Sequence, residues 1–295
     1  MSNNLPLVTI GVSTYNRKDY LKESLDSLLR QTYSNCEIIV VDDGSSDGTK
    51  EMMQEHYPQI KYVYQDNAGD SAAKNHAARL ASGEYIVFND SDDVFLDDAV
   101  ERLYNALPEN EKNAVSYGSY ITIDAAGKRL PTKRKVSVFP SGEITGDLLK
   151  HIVVCNCGTL MPLKRFKAVG MFNTALKVSY DYDFMLEIST HCNFYAVQDP
   201  VFLRRRHGSN LSAASYEKLA TVYKVFENFL ERHPEVLERY PVIIRRRRGD
   251  FNNKLCREAC REKSYRQALE HARTAFKCTP SFKTFFRMLA LIFKH

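Results

Sequence analysis

Three carboxylates crowd the end of an apolar run in the segment SGEYIVFNDSDD (82 to 93), where Asp90, Asp92 and Asp93 fall within four positions. Like charges so close to a desolvated backbone are costly to ionise together unless a cation joins them. Hard oxygen ligands of this kind suit Mg²⁺ or Mn²⁺, which bridge substrate phosphates while keeping coordination positions open. The alternative is a helix cap, with Asp92 or Asp93 closing the first turn of a helix that starts near Asp97, although a cap needs one acid where three are offered. A second pair, Asp42 and Asp43, ends the run EIIVV (37 to 41) and opens DDGSSDGT. Gly44 and Gly48 permit tight backbone there, and Ser45, Ser46 or Asp47 can cap the next helix. These carboxylates suit hydrogen bonds from ribose hydroxyls or a base N–H, and the same residues also make a good turn. No GxGxxG follows the first strand and no GxxxxGK[ST] loop exists, so dinucleotide-binding and P-loop chemistry are set aside.

The elements that must position these residues are legible as an alternation. Runs at 7 to 13, 37 to 41, 60 to 64 and 84 to 88 are short, β-branched or aromatic, and end in polar residues, as buried parallel strands do. Between them lie helix-length stretches marked by Leu21, Leu25, Leu28 and Leu29, then Met52 and Met53, then Ala73, Ala77, Ala78 and Leu80. The pattern predicts an α/β fold, a doubly wound, mostly parallel sheet flanked by helices that binds ligands outside the carboxyl ends of its strands. The polar residues fall at those ends: Thr14, Tyr15, Asn16 and Arg17 after the first, Asp42 and Asp43 after the second, Asp90, Ser91, Asp92 and Asp93 after the fourth. From about 113 to 210 the pattern loosens into further strands, a Gly-, Pro- and Lys-rich connection at 126 to 142 and a helix over 181 to 191, the profile of an acceptor-side half. After Ser215 the chain reads as helical, with segments at about 251 to 263, 265 to 277 and 281 to 294. The segment SYRQALEHARTAFKCTPS resembles one helix of a helical repeat, present in a single copy.

Composition adds limits. A chain of 295 residues with 44% hydrophobic content suits one large domain, 1 to 212, and a helical appendage, 213 to 295. No apolar run reaches the length of a membrane span, and the N-terminus lacks the features of a signal peptide, so a cytoplasmic protein is expected. Seven cysteines without paired spacing read as reduced thiols. Residues 215 to 295 hold 18 Lys/Arg against 9 Asp/Glu, whereas the first 214 hold 23 against 27. A basic tail either meets an anionic surface or is simply a solvated helical face; nucleic acid is disfavoured because no recognised binding module accompanies the charge. Near the C-terminus Phe282, Phe285, Phe286, Leu289, Ile292 and Phe293 form an apolar stripe beside Lys283, Arg287 and Lys294, suited either to lying on an anionic leaflet or to packing on the body. The RRRR run at 245 to 248 reads either as a lipid or phosphate contact or as a merely solvated face.

Taken in order, VTIGVSTYNR (8 to 17), LLRQTYSNCEIIVVDDGSSDGT (28 to 49), NAGDSAAKNHA (67 to 77), SGEYIVFNDSDD (82 to 93), SYDYDFML (179 to 186) and RRRHGSNLS (204 to 212) resemble the inverting glycosyltransferases of family 2. The resemblance covers about the first 212 residues and implies the GT-A type, Rossmann-like nucleotide-sugar fold. It further implies a nucleotide diphosphate sugar donor, UDP-linked by family frequency, with Mn²⁺ or Mg²⁺ and a glycan or lipid-linked hydroxyl acceptor. Thr14, Tyr15 and Asp43 would hold the base with Asp42 nearby and Asn16, Arg17 and Ser91 alongside. Asp90 would lie near the ribose, and Asp92 would bind metal and diphosphate. Asp181 matches the general base, although Tyr180 stands where relatives carry a preceding acid, and Asp183 is the neighbouring alternative. His207 matches a histidine that reaches metal or diphosphate, and Lys74 and Asn75 occupy a stretch where relatives carry a phosphate-contacting pair. The chemistry asks for such a set by itself, since a departing diphosphate needs its charge stabilised and an acceptor hydroxyl needs a carboxylate to take its proton. Two rivals stand beside this reading: a nucleotidyltransferase, which would carry a Gly-rich basic loop where STYNR stands, and a non-catalytic sugar-nucleotide binding protein, which would lose the carboxylates.

Overall fold

A computed structural model describes residues 5–131, 139–208 and 216–292. The chain separates into two compact units, residues 1–144 with 153–210 and residues 145–152 with 211–295.

The first unit is built on β1 (Val8–Thr14), α1 (Lys18–Leu29), β2 (Cys36–Asp42), α2 (Thr49–His56), β3 (Lys61–Tyr64), α3 (Asp70–Leu80) and β4 (Tyr85–Asp90). It continues through β5 (Val94–Phe95), α4 (Ala99–Asn105) and β6 (Val115–Ile123), and, after α5 (Thr145–Lys150) of the other unit, through β7 (Thr159–Pro162), α6 (Leu163–Ala168), α7 (Tyr180–Ser189) and β8 (Phe194–Arg205). All eight strands form one sheet in the order β3-β2-β1-β4-β7-β6-β8-β5. The first four are parallel, as the alternating sequence pattern predicts; β7 pairs antiparallel with both β4 and β6, and β5 antiparallel with β8. Every residue of β1 is buried, because helices cover both faces of the sheet centre.

Parallel pairing aligns the strand ends. Thr14 lies beside Asp42 and Ser13 beside Asp90, so the polar residues that follow three strands meet at one edge. Helix α2 opens at Gly48, whose φ of 84° only glycine adopts without strain, and Asp47 caps it by accepting the Thr49 N–H at 3.1 Å. The capping alternative for Asp92 and Asp93 does not hold, since the next helix begins at Ala99 behind Asp98.

The second unit consists of α5, α8 (Tyr216–Arg232), α9 (Pro234–Arg239), α10 (Pro241–Arg261), α11 (Tyr265–Cys278) and α12 (Phe282–Ile292). Phe226, Phe229, Ile244, Phe251 and Leu255 are buried in it, and a second cluster joins Cys256, Ala259, Ala268, Ala272 and Leu291. Helix α12 is seated by Thr284, Met288 and Leu291, and Phe285 meets the Phe276 ring of α11 at 5.8 Å, whereas Phe282 and Phe286 of its phenylalanine stripe stay exposed. Of that stripe, Phe293, and beside it Lys294, lie outside the described residues, as do 209–212 of the RRRHGSNLS segment. No described helix is long and apolar enough to cross a membrane.

Candidate active site

The loops after β1 and β2 are stitched together. Asn16, held at φ 50°, donates its N–H to Ser45 Oγ and accepts the Ser46 N–H at Oδ1, both at 2.8 Å. Asp42 is fully buried and accepts the Ser45 N–H at 2.8 Å and the Tyr62 hydroxyl at 2.7 Å. Asp43 accepts the Gln65 amide and the N–H groups of Ala68 and Gly69 at 2.7 to 2.8 Å. In this arrangement Asp43 fixes the stretch 65–69, and Asp42 the turn at Ser45, beside the end of β1. Tyr15 stands half exposed beside them, and the buried Thr14 Oγ1 has no hydrogen-bond partner among the described residues. A buried hydroxyl left unpaired costs free energy, and a ligand donor or acceptor relieves it.

The floor is an ionic cluster that sequence reasoning reached only in part. Lys74, 1% exposed, directs its ammonium to Asp90 Oδ1 at 2.6 Å, Asp70 Oδ2 at 3.0 Å and the Tyr180 hydroxyl at 2.9 Å. Ser13 and Tyr180 both donate to Asp70. Expected as a phosphate contact, Lys74 instead has its ammonium surrounded by the chain's own oxygens. Burial opposes its charge, yet the two carboxylates outweigh that and hold it well above the usual lysine range. Burial likewise opposes ionisation of Asp70, but Lys74, Ser13 and Tyr180 keep it below the usual carboxylate range. Asp90 goes the other way: burial, with the Asp70 and Asp92 charges, pushes it up against the pull of Lys74. Asp70 and Ser13 were missed as site residues, and the available signal was the i,i+4 spacing of Asp70 and Lys74 on α3. Tyr180 in place of an acid now has a physical reason, since its hydroxyl belongs to this cluster. Asn75 serves packing, exchanging hydrogen bonds of 2.8 and 3.0 Å with the backbone of Phe172, and Ser91 is buried.

Asp92, Arg17 and His207 form a triangle. Asp92 Oδ2, Arg17 Nη1 and His207 Nε2 lie 2.7 Å from one another on every side. A protonated Nε2 would donate to Asp92 but confront the guanidinium; an unprotonated one would accept from Arg17 but confront a carboxylate lone pair. One contact is unfavourable in either state, so Arg17 is an imperfect stand-in for a cation against this oxygen and nitrogen. A divalent ion is bound well by one carboxylate and one imidazole that share a point and leave positions for phosphates, so the donor set fits Mn²⁺ or Mg²⁺. No cluster of three His, Cys, Asp or Glu suited to a metal occurs among the described residues. Tyr20 stacks on the imidazole at 5.1 Å and 19°, holding its orientation. On that basis His207→Ala is expected to raise the Mn²⁺ concentration needed for half-maximal nucleotide binding at least tenfold, which titration calorimetry measures.

Asp93 is buried away from this point. It accepts the Arg205 N–H at 2.9 Å, and burial with the Asp90 and Asp92 charges drives it well above the usual carboxylate range. Asp181 and Asp183 occupy the first turn of α7, where residues two apart point to opposite sides. Asp181 accepts the Tyr182 N–H at 2.9 Å, and its charge, like that of Asp90, acts on Tyr180 and on Cys155. Burial first, then these carboxylates, pushes the Cys155 thiol up to about 12. Next to it Asn156 is 4% exposed, and neither atom of its amide has a partner among the described residues.

A sequence profile of the family described as Glycosyl transferase family 2 matches residues 9–170, more than half of the chain. A glycosyltransferase of Rickettsia felis, itself uncharacterised, is 30% identical over 266 residues, 86% of this chain; the chain spans 44% of that relative's length. Among solved structures, residues 1–349 of S. aureus TarS in complex with UDP superpose with a TM-score of 0.68 at 16% identity, covering 93% of this chain and 81% of that one. The mannosyltransferase PcManGT of Pyrobaculum calidifontis, in complex with GDP-Man and Mn²⁺, gives 0.64 at 17% identity, covering 99% and 80%. Likeness at that identity speaks for the shared architecture, the GT-A type. With the profile match and the ordered acidic strand ends, the chain belongs to glycosyltransferase family 2.

Proposed function

We propose that the chain transfers a sugar from a nucleotide diphosphate sugar, UDP-linked, to a hydroxyl acceptor with inversion at the anomeric carbon. What supports this reading is Asp90 at the carboxyl end of β4 beside Ser13 and the Asp92–His207 pair close behind it, with Asp181 in the first turn of α7 next to Tyr180 of the Lys74 cluster. Thr14 and Tyr15 face the nucleoside, within the wall that Asn16, Asp42 and Asp43 fix. Asp90, braced by Lys74, accepts hydrogen bonds from the ribose. Asp92 and His207 would hold Mn²⁺ or Mg²⁺, whose charge would neutralise the diphosphate. Arg17, which stands beside the pair, would meet the phosphates as a guanidinium. The acceptor oxygen attacks the anomeric carbon while Asp181 takes its proton, and the electron pair of the broken C–O bond leaves with the nucleoside diphosphate. With Asp181 assigned as base and no carboxylate assigned as nucleophile, the reaction is a single displacement. The acceptor we infer is a glycan or a lipid-linked glycan of a surface polysaccharide, glycosylated at the cytoplasmic side of the membrane.

A thermal-shift series of nucleoside diphosphates and their sugars, with and without Mn²⁺, tests the reading. Stabilisation by one nucleotide sugar only with the ion present is expected. Indifference to every nucleotide sugar would falsify it, and release of pyrophosphate would mean nucleotidyl transfer instead.

Asn156 gives a separate prediction. An unpaired buried amide is costly in the free protein, and we infer that the Asn156 amide, beside Cys155, meets a substrate hydroxyl. Asn156→Leu, of similar shape, is therefore expected to raise unfolding stability by about 1 kcal/mol while lowering kcat/KM, as urea denaturation and initial-rate kinetics would show.

A further inference from the structure

Several exposed residues of α12 are apolar. Phe282 is 86% and Phe286 63% exposed, and with Phe285 and Leu289 they follow the i, i+3, i+4, i+7 spacing of one helix stripe. The helix carries Lys283 and Arg287 and no acidic residue. One turn beyond Phe286, Ala290 forms the rim of a cleft of about 330 Å³ between α10 and α12. Its floor is apolar, with Leu291 and Cys260, and its walls are Arg257, Arg261 and Arg287. Residues 241 to 292 hold 13 Lys/Arg against 4 Asp/Glu. The crowding is felt along α10, where burial together with Arg247 and Arg257 pulls the Lys254 ammonium below its usual range. Arg247 itself is buried over the Phe251 ring at 4.2 Å, with its Nε unpartnered among the described residues.

We propose that this face of the helical unit docks on an anionic lipid bilayer. Phe282 and Phe286 enter the boundary between headgroups and acyl chains, and Arg257, Arg261 and Arg287 hold lipid phosphates. Charge complementarity selects this occupant. A second copy seated through the same face would bring identical arginines against each other around its two-fold axis, which repels. A nucleic acid would satisfy the arginines but leave the phenylalanines in water. Anionic phosphates above an acyl layer meet both needs, and this docking is independent of the sugar-transfer reading.

The test is co-sedimentation of the full chain with vesicles of phosphatidylcholine alone and of phosphatidylcholine mixed with phosphatidylglycerol. The chain is expected to pellet with the mixed vesicles and stay in the supernatant with the neutral ones. Phe282→Ser with Phe286→Ser should weaken binding roughly tenfold. Arg257→Gln and Arg261→Gln should weaken it about fivefold for each charge removed. All four side chains are exposed, so circular dichroism of each variant should match the parent. Failure to pellet with anionic vesicles, equal pelleting of parent and phenylalanine variant, or a dimer in light scattering that the phenylalanine variant dissociates would each overturn the proposal.

Discussion

Asp181→Asn is expected to keep nucleotide-sugar binding and to lower turnover by about 10² to 10⁴-fold. The substitution preserves size and an Oδ1 that still accepts the Tyr182 N–H, so the start of α7 should be undisturbed. On the proposed assignment, what disappears is the capacity to take a proton from the acceptor hydroxyl as it attacks. Binding calorimetry with the donor, alongside single-turnover transfer, separates the two effects. Asp183→Asn is the internal control, because it lies on the other side of the same turn and should retain turnover. If the losses are reversed between the two variants, the base is Asp183.

Lys74→Met has the largest expected effect on folding. It leaves Asp70 and Asp90 facing each other without their shared ammonium, and breaking a buried ion pair costs about 3–5 kcal/mol. The carboxylates are 34% and 40% exposed, so solvent screens part of the cost and the lower end is expected. The dependence on pH has a definite sign. In the parent, the depressed Asp70 contributes stability that is present above its unfolded pKa and lost as pH falls through its lower folded value. Asp90, raised in the folded state, does the opposite and is relieved by acid. Removing Lys74 takes away the main influence lowering both, so acid should relieve the variant more than the parent. The stability deficit should narrow as pH falls from neutrality, which urea titrations at several pH values would measure; a deficit that widens with acid would dismiss the ion-pair account.

The alternating half of the fold was readable because its cues are local. Runs of β-branched residues mark β1, β2 and β4 within one or two residues, and the polar residues after them mark the carboxyl edge of the sheet. Strands β5 and β7 were not readable, since two or four residues carry no period and exist only through pairing with distant partners. The same distinction runs through the candidate site. Asp90, Asp92 and His207 stand out in the sequence by type and order, whereas nothing in it shows Tyr180, 106 positions away, reaching the Lys74 ammonium. Asp42 and Asp43 look free for a nucleoside because the sequence does not say that the loop at 65–69 bends back onto Asp43. In α12 the spacing shows an apolar side but not which side is covered.

The lateral alignment of Thr14 with Asp42 and of Ser13 with Asp90 makes β1 a part whose length cannot vary. Strand side chains alternate, so losing or gaining one residue between Val8 and Thr14 would turn the Ser13 hydroxyl away from Asp70 and aim a neighbour's side chain at it. Engineering here therefore has to exchange residues one for one, whereas changes in chain length belong in the surface turns.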